Sequence, residues 1–261
     1  MKIIFCFFLL FGQSWQTWAK SPSEEQIQNW IFESMKEIPL EGGYELTLRP
    51  AQKLRDAFYF GINSTNQPWQ LNIRIDTAKP SYCTTATYLV FYKTLQKFWK
   101  WNEETPSLTT LLKLKPEAED DGIGLWGRWN SNGPGTSKFF HDAKIGINFD
   151  DIKQARAGDF LKIFWNEHVG KYERGHSVIF LGLEVVDGKE MIRYWSSNKG
   201  TRGYGEQVIP RTDAIRTLFS RLTFPQDIKN IEELTQTDEY LKSMLTTVSN
   251  WDEVRKLTGI Q

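Results

Sequence analysis

Two apolar runs separated by Asp187-Gly188 constrain this chain more than any other feature. The runs are Ser177-Val178-Ile179-Phe180-Leu181-Gly182-Leu183 and Met191-Ile192-Arg193-Tyr194-Trp195-Ser196. Both are rich in the β-branched and aromatic residues that suit a pleated, half-buried surface. Asp-Gly between them is a strong signal for a two-residue hairpin turn, in which both central residues take positive φ. An antiparallel hairpin is therefore expected over residues 175–197. Ala157-Gly158-Asp159 reads as a turn into a further strand, Phe160-Leu161-Lys162-Ile163-Phe164-Trp165, and residues 166–174 as a polar loop. After a loop at 200–205, residues 207–210 read as a fourth short strand.

The first half of the chain reads as helical. Ser23-Glu24-Glu25-Gln26 has capping-box spacing, and Ile27, Trp30, Ile31, Met35 and Ile38 follow with helical periodicity. That helix is expected to end near Pro39. A second, over residues 51–60, places Leu54 and Phe58 on one side, and residues 61–70 read as a loop. Leu71, Ile73 and Ile75 alternate with polar residues, as in a short extended piece. Pro80-Ser81 then opens a helix whose Tyr88, Phe91, Tyr92, Leu95 and Trp99 form a buried stripe, the central helix of the domain. A short helix is expected at 108–114 and a helical turn at 212–220. The tail after Pro225 reads as helical, with Ile231, Leu234, Leu241, Leu245 and Val248 on one face. Helices followed by an antiparallel sheet make an α+β order.

Residues 1–19 have the layout of a secretory signal. Lys2 is the positive start, Ile3 to Gly12 is apolar, and Thr17-Trp18-Ala19 offers small residues where a signal peptidase reads. The run is too short to span a bilayer. The expectation is an exported protein, periplasmic or secreted, with no stable membrane insertion once the signal is cleaved. Lys+Arg and Asp+Glu balance at 32 each, which argues against nucleic acid as a partner. Aromatic residues make up 14 % of the chain, with 11 Trp, either as a large core or as platforms for a sugar-like ligand.

Removal of the leader takes Cys6 with it and leaves Cys83 alone, so no intramolecular disulfide can form. Cys83 stands where a loop turns into a helix. The partial positive charge and free N–H groups of a helix N-terminus favour a thiolate, and the same N–H groups can hold an oxyanion. A nucleophile of this kind needs a base. Of the three histidines, His141 follows Phe139-Phe140, His168 lies in a polar loop, and His176 opens an apolar strand. A strand fixes an imidazole in one rotamer, so His176 is the best base. The returning strand brings Ser196-Ser197-Asn198 beside it to orient the ring. With a two-residue turn, Val178 faces Ser197. One extra residue favours Asn198 or Ser196 instead, and Asn198 has the better chemistry, a side-chain carbonyl that accepts from an imidazole N–H. The three histidines and one cysteine lack ligand spacing for zinc, and no metal or cofactor is expected.

These pieces in this order resemble the papain-like bacterial cell-wall hydrolases, the CHAP amidohydrolases and their NlpC-type relatives. The matching residues are Tyr82-Cys83-Thr84, Ala157-Gly158-Asp159-Phe160-Leu161, Gly175-His176-Ser177-Val178-Ile179-Phe180-Leu181-Gly182 and Ser196-Ser197-Asn198, within about residues 75–210. The resemblance implies a papain-like fold in which the cysteine-bearing helix packs on an antiparallel sheet, with extra helices at both ends. It implies cleavage of amide bonds in peptidoglycan peptides, with Cys83 as nucleophile, His176 as base and Asn198 as orienter. The chain departs from it in three places. Ser196 stands where a CHAP domain usually has an acidic residue, the insert before the Gly-Asp turn is longer, and Tyr82 and Thr84 flank the cysteine in place of the usual Asp or Gly.

The expected organisation is a signal at 1–19, a helical extension at 20–74, the hydrolase domain at 75–222 and a helical extension at 223–261. Within the insert, residues 120–137 hold five glycines among Trp126, Arg128, Trp129 and Asn130. Such a segment is expected to be an irregular loop that walls the substrate site, with Trp126 and Trp129 as substrate platforms. Gly122-x-Gly124-x-x-Gly127 matches a dinucleotide pattern only formally, without the strand–turn–helix that gives it meaning. Two other functions fit the same residues: a Cys–His protease or acyltransferase acting on protein, and a non-catalytic envelope-binding protein of the same fold.

Overall fold

The computed structural model describes residues 21–61, 69–117 and 119–260. The expected leader, and residues 62–68 of the expected loop, lie outside them. The chain begins with α1 (Glu24–Lys36), β1 (Glu41–Gly42), α2 (Arg49–Ala57), β2 (Phe58–Gly61) and β3 (Gln70–Ile73). Four helices follow: α3 (Cys83–Asn102), α4 (Leu108–Leu114), α5 (Gly124–Asn130) and α6 (Gly135–Ala143). Then come β4 (Gly146–Phe149), β5 (Phe160–Phe164), β6 (Val169–Gly170), β7 (Gly175–Val186), β8 (Lys189–Asn198), β9 (Gly203–Pro210) and β10 (Arg216–Leu222). The tail carries α7 (Glu239–Ser243), β11 (Val248–Ser249) and α8 (Trp251–Leu257).

Among the described residues, seven strands form one antiparallel sheet in the order β1-β9-β8-β7-β5-β10-β4. The expected α+β class holds. The Asp187-Gly188 hairpin forms as its turn chemistry dictates, with φ of 50° and 74° at the two turn residues. Ser23 caps α1 by accepting from the Gln26 N–H at 3.1 Å. One core joins α1, α3, α5, α6 and one face of the sheet: Ile27, Trp30 and Ile31 meet Tyr88, Phe91 and Leu95, and Phe160, Ile179 and Trp195 rise from the strands. Leu161, Val178, Ile192, Tyr194 and Phe219 form a second core on the other side of the sheet. Ile228 and Ile231 of the tail belong to the first core, so both terminal segments pack onto the central helix. Among the described residues no helix is long and apolar enough to cross a membrane.

The structure corrects the sequence reading in four places. The second helix stops at Ala57, and Phe58–Gly61 is a strand paired with β3. Three consecutive aromatic residues there favour the pleated surface over a further helical turn. The helical turn expected over 212–220 is confined to a 3₁₀ turn at Arg211–Asp213; Arg216–Leu222 is β10, held between β5 and β4. A strand buried on both faces loses its apolar–polar alternation. The tail is no single amphipathic helix: it is a 3₁₀ stretch at Pro225–Glu233, two short helices and a two-residue strand. Leu245 and Val248 face solvent.

The fourth correction concerns residues 120–137, which fold into α5 and the start of α6 instead of an irregular loop. Trp126 and Trp129 are 2 % and 1 % exposed, so neither presents a free ring face to a substrate. Trp129 lies against Phe91 at 4.8 Å between ring centroids, and meets Phe139, Phe140 and Phe160 at 5.6–6.2 Å. Each such ring contributes about 1.5–3 kcal/mol by burial, which outweighs the weak helix propensity of the glycines. Gly127 is there for close approach: a Cβ on it would sit 2.1 Å from the Asp120 carbonyl oxygen.

Candidate active site

Cys83 is the first residue of α3 and is partly exposed. The turn before it is fixed from several sides. The Tyr82 N–H donates to Thr85 Oγ1 at 3.0 Å, and the Thr85 hydroxyl donates back to the Tyr82 carbonyl at 2.6 Å. The Ser81 hydroxyl donates to Ser197 Oγ on β8 at 2.7 Å. The Tyr204 hydroxyl, on β9, donates to the Ala78 carbonyl at 2.6 Å. Residues 43–45 form a strap alongside: the Ser81 N–H donates to the Gly43 carbonyl and the Glu45 N–H to the Ser81 carbonyl. Apart from the local Tyr82–Thr85 pair, every anchor belongs to an element far away in sequence, so the position of Cys83 is a property of the whole fold.

His176 reaches the site from the start of β7, and a bulge decides which residue of β8 lies level with it. From the turn the pairing runs Val186 with Lys189 to Gly182 with Arg193, as a two-residue turn requires. The register then shifts at Leu181, and Phe180 faces Tyr194 and Ile179 faces Trp195. Counted onward, the shift sets His176 level with Asn198; without it, Ser197 would face Val178. The extra residue lies in the strand, where turn chemistry gives no sign of it.

The His176 Nε2–H donates to Asn198 Oδ1 at 2.7 Å. Asn198 is 2 % exposed, and its Nδ2 donates to the Gly205 carbonyl at 3.0 Å. That bond turns the amide oxygen toward the ring, and an amide oxygen can only accept. Nε2 therefore carries the proton and Nδ1 is left to accept from the thiol. Ser197 and Ser196 have other work: Ser197 holds Ser81, and the Ser196 hydroxyl donates to the Ser177 carbonyl at 2.7 Å. Trp165 stacks beside the His176 ring at 6.3 Å, and Tyr194 meets it edge-on at 5.5 Å.

Burial pushes the Cys83 thiol up, but a hydrogen bond to His176 and that ring's charge outweigh it. With help from the Ser177 backbone and the Lys162 ammonium, they bring the thiol down from 9.0 to about 7. The pair is thus poised near neutrality, where a thiol is both ionised in part and still nucleophilic. The first N–H groups of α3 have no intrahelical acceptors, so the helix end that carries Cys83 offers donors an anion can use.

Sequence reasoning missed two groups near the sulfur, Tyr44 and Lys162, and a carboxylate beside Tyr82. Tyr44, carried by the strap, is half-buried; burial and the neighbouring Cys83 push its phenol up to about 12. Lys162, on β5, pairs with Glu173 at 2.7 Å, and the Glu173 carboxylate is 1 % exposed. Asp121 lies near Tyr82 and Lys162; burial raises its carboxyl, and the Asn132 N–H and Lys162 oppose that. Among the described residues Asp121 makes no ion pair within 4.0 Å. Residues 120–137 do border the turn that carries Cys83, through Asp121 near Tyr82 and through Asn130, whose Oδ1 accepts from the Thr84 hydroxyl at 2.5 Å. No local pattern marks these groups, since long-range packing brings them in. His141 and His168 are exposed and stand apart from the cysteine, His141 against Gly259 and His168 against Tyr172.

Comparisons with protein-family models, with curated proteins and with solved structures return no match for this chain.

Proposed function

We propose that the protein is an exported cysteine hydrolase of papain-like type that cleaves amide bonds in peptidoglycan peptides. One observation carries the reading: at the N-terminus of α3 the Cys83 thiol is lowered by the His176 ring, whose Nε2–H donates to the Asn198 amide oxygen at 2.7 Å. His176 Nδ1 takes the thiol proton, and the thiolate attacks the carbonyl carbon. The tetrahedral oxyanion accepts from the first N–H groups of α3. It collapses as the C–N bond breaks and His176 returns the proton to the leaving amine. A water, deprotonated by His176, then adds to the thioester. Cleavage of the C–S bond releases the carboxylate product and restores the thiol.

The substrate class is inferred from the family resemblance and from one local charge. A carboxylate at Asp121, beside Tyr82 and without an ion pair among the described residues, suits a substrate that carries an ammonium group, which cell-wall peptides supply. The test is digestion of purified peptidoglycan by the wild type and by Cys83→Ala, with released fragments read by mass spectrometry. The wild type is expected to release new amine and carboxylate ends. Cys83→Ala is expected to lose about 10⁴-fold or more in rate. Identical fragments at equal rates from both proteins sink the assignment.

A further inference from the structure

Cys83 occupies one end of α3, and a second cavity opens at the other. It holds about 410 Å³ between β3 and the last turns of α3, within the range of small-molecule sites. Its walls include Trp69, Asn72, Gln96, Trp99 and Lys100. Trp69 is 45 % exposed and is braced edge-on by Phe60 at 6.2 Å, so its ring is held while much of its surface stays open. Trp99 is 6 % exposed, and its indole N–H is buried with no acceptor. A buried donor without a partner is costly, and a ligand that brings an acceptor relieves the cost. Gln96 Nε2 is committed to the Leu71 carbonyl at 3.1 Å, which leaves the amide oxygen able to accept. An open aromatic face, an unmet donor and a spare amide oxygen are what a flat, neutral, polyhydroxylated ring requires.

We propose that this cavity binds an N-acetylated sugar of a glycan strand, with a pyranose face on Trp69 and the acetamido carbonyl accepting from Trp99 Nε1. The choice of glycan rests on the reading of the protein as a cell-wall hydrolase. Distance along the helix decides which sugar that is. Trp99 follows Cys83 by sixteen residues, or ~24 Å at 1.5 Å per residue. A peptide stem of about four or five residues spans at most ~13–18 Å when extended. The sugar in the cavity is thus a neighbour along the glycan strand, not the one whose own stem lies at the cysteine. The tryptophan platform expected at Trp126 and Trp129 falls to Trp69.

The experiment is calorimetry and tryptophan fluorescence on full-length Cys83→Ala protein, which cannot turn over its ligand. The probes are the tetramer of N-acetylglucosamine, the glucose tetramer without acetamido groups, and a sugar-free stem peptide. The N-acetylated tetramer is expected to bind. Trp69→Ala, an exposed substitution, is expected to weaken it tenfold or more, and Trp99→Phe, which removes the N–H, several-fold. Absence of binding at millimolar concentration overturns the proposal, as does unchanged affinity in Trp69→Ala. Equal affinity for the glucose tetramer overturns the acetamido assignment, and displacement of the sugar by the stem peptide makes this a peptide site instead. Sugar binding in a protein whose wild type cleaves no stem peptide supports the glycan site and counts against the hydrolase reading alone.

Discussion

The β7–β8 hairpin and the α5–α6 segment both border Cys83, yet they are built in opposite ways. The hairpin places His176 and Asn198 through local pairing, one residue at a time from the Asp187-Gly188 turn. The α5–α6 segment places Asp121 and Asn130 through the burial of Trp126, Trp129, Phe139 and Phe140 in a shared core. The first region is specified by neighbours in sequence and the second by neighbours in space. Chemistry is therefore expected to fail when the hairpin is disturbed, and stability when the helical segment is.

Trp129→Ala gives the largest expected effect on that contrast. It empties the centre of a five-ring cluster and removes the indole N–H bond to Thr87 Oγ1 at 3.2 Å. The expected loss is about 3–5 kcal/mol of stability, read as a lowered urea midpoint. The fraction still folded should keep its thiol reactivity; a selective loss of reactivity at unchanged stability breaks the comparison. Asn198→Ala is the opposite case. Stability should fall by about 1–3 kcal/mol, since the buried Nε2–H loses its acceptor. Turnover should fall by about 10²-fold as the ring loses its tautomer and orientation, read in peptide hydrolysis.

The ionisation of Cys83 sharpens the chemical side. A thiol lowered to about 7 is protonated below that pH and a thiolate above it. Iodoacetamide alkylation should thus rise with pH and reach half its maximum near 7. His176→Ala should move the midpoint upward, because burial then meets only the weaker pull of the Ser177 backbone and Lys162. A midpoint that stays put in the variant removes His176 from the pair. The smallest effect is expected at the seam between the two regions. Thr84→Val deletes the bond to Asn130 and should cost about 1 kcal/mol, with a few-fold change in hydrolysis at most.

The contrast also explains what could be read from the chain. The hairpin, the Gly158-Asp159 turn and the stripe of α3 were legible because each rests on local chemistry or periodicity. Cys83 and His176 were legible because only a few residues of their types exist and each has a distinctive setting. The residue beside His176 stayed open among Ser196, Ser197 and Asn198 because it depends on the Leu181 bulge, and Leu181 looks like any other residue of an apolar run. The glycines of 120–137 spoke for a loop, whereas Gly127 answers to the Asp120 carbonyl that lies against it. β10 was hidden because burial on both faces erased its alternation. Tyr44 and Asp121 carry no local mark, since the strap brings the one to the sulfur and the aromatic core brings the other to Tyr82.

The bulge at Leu181 makes the site sensitive to length as well as to identity. Losing Leu181 itself only closes the bulge: Phe180 then follows Gly182 in the ladder, still meets Tyr194, and His176 stays level with Asn198. Losing one residue elsewhere between the turn and His176, with the bulge kept, sets Ser197 level with the imidazole, and losing two sets Ser196 there. Among any descendants of this chain, a deletion in that strand is thus expected to fall on the bulge, or to be matched by an equal one on β8. An active copy and a silent copy could differ by a single codon that encodes nothing catalytic.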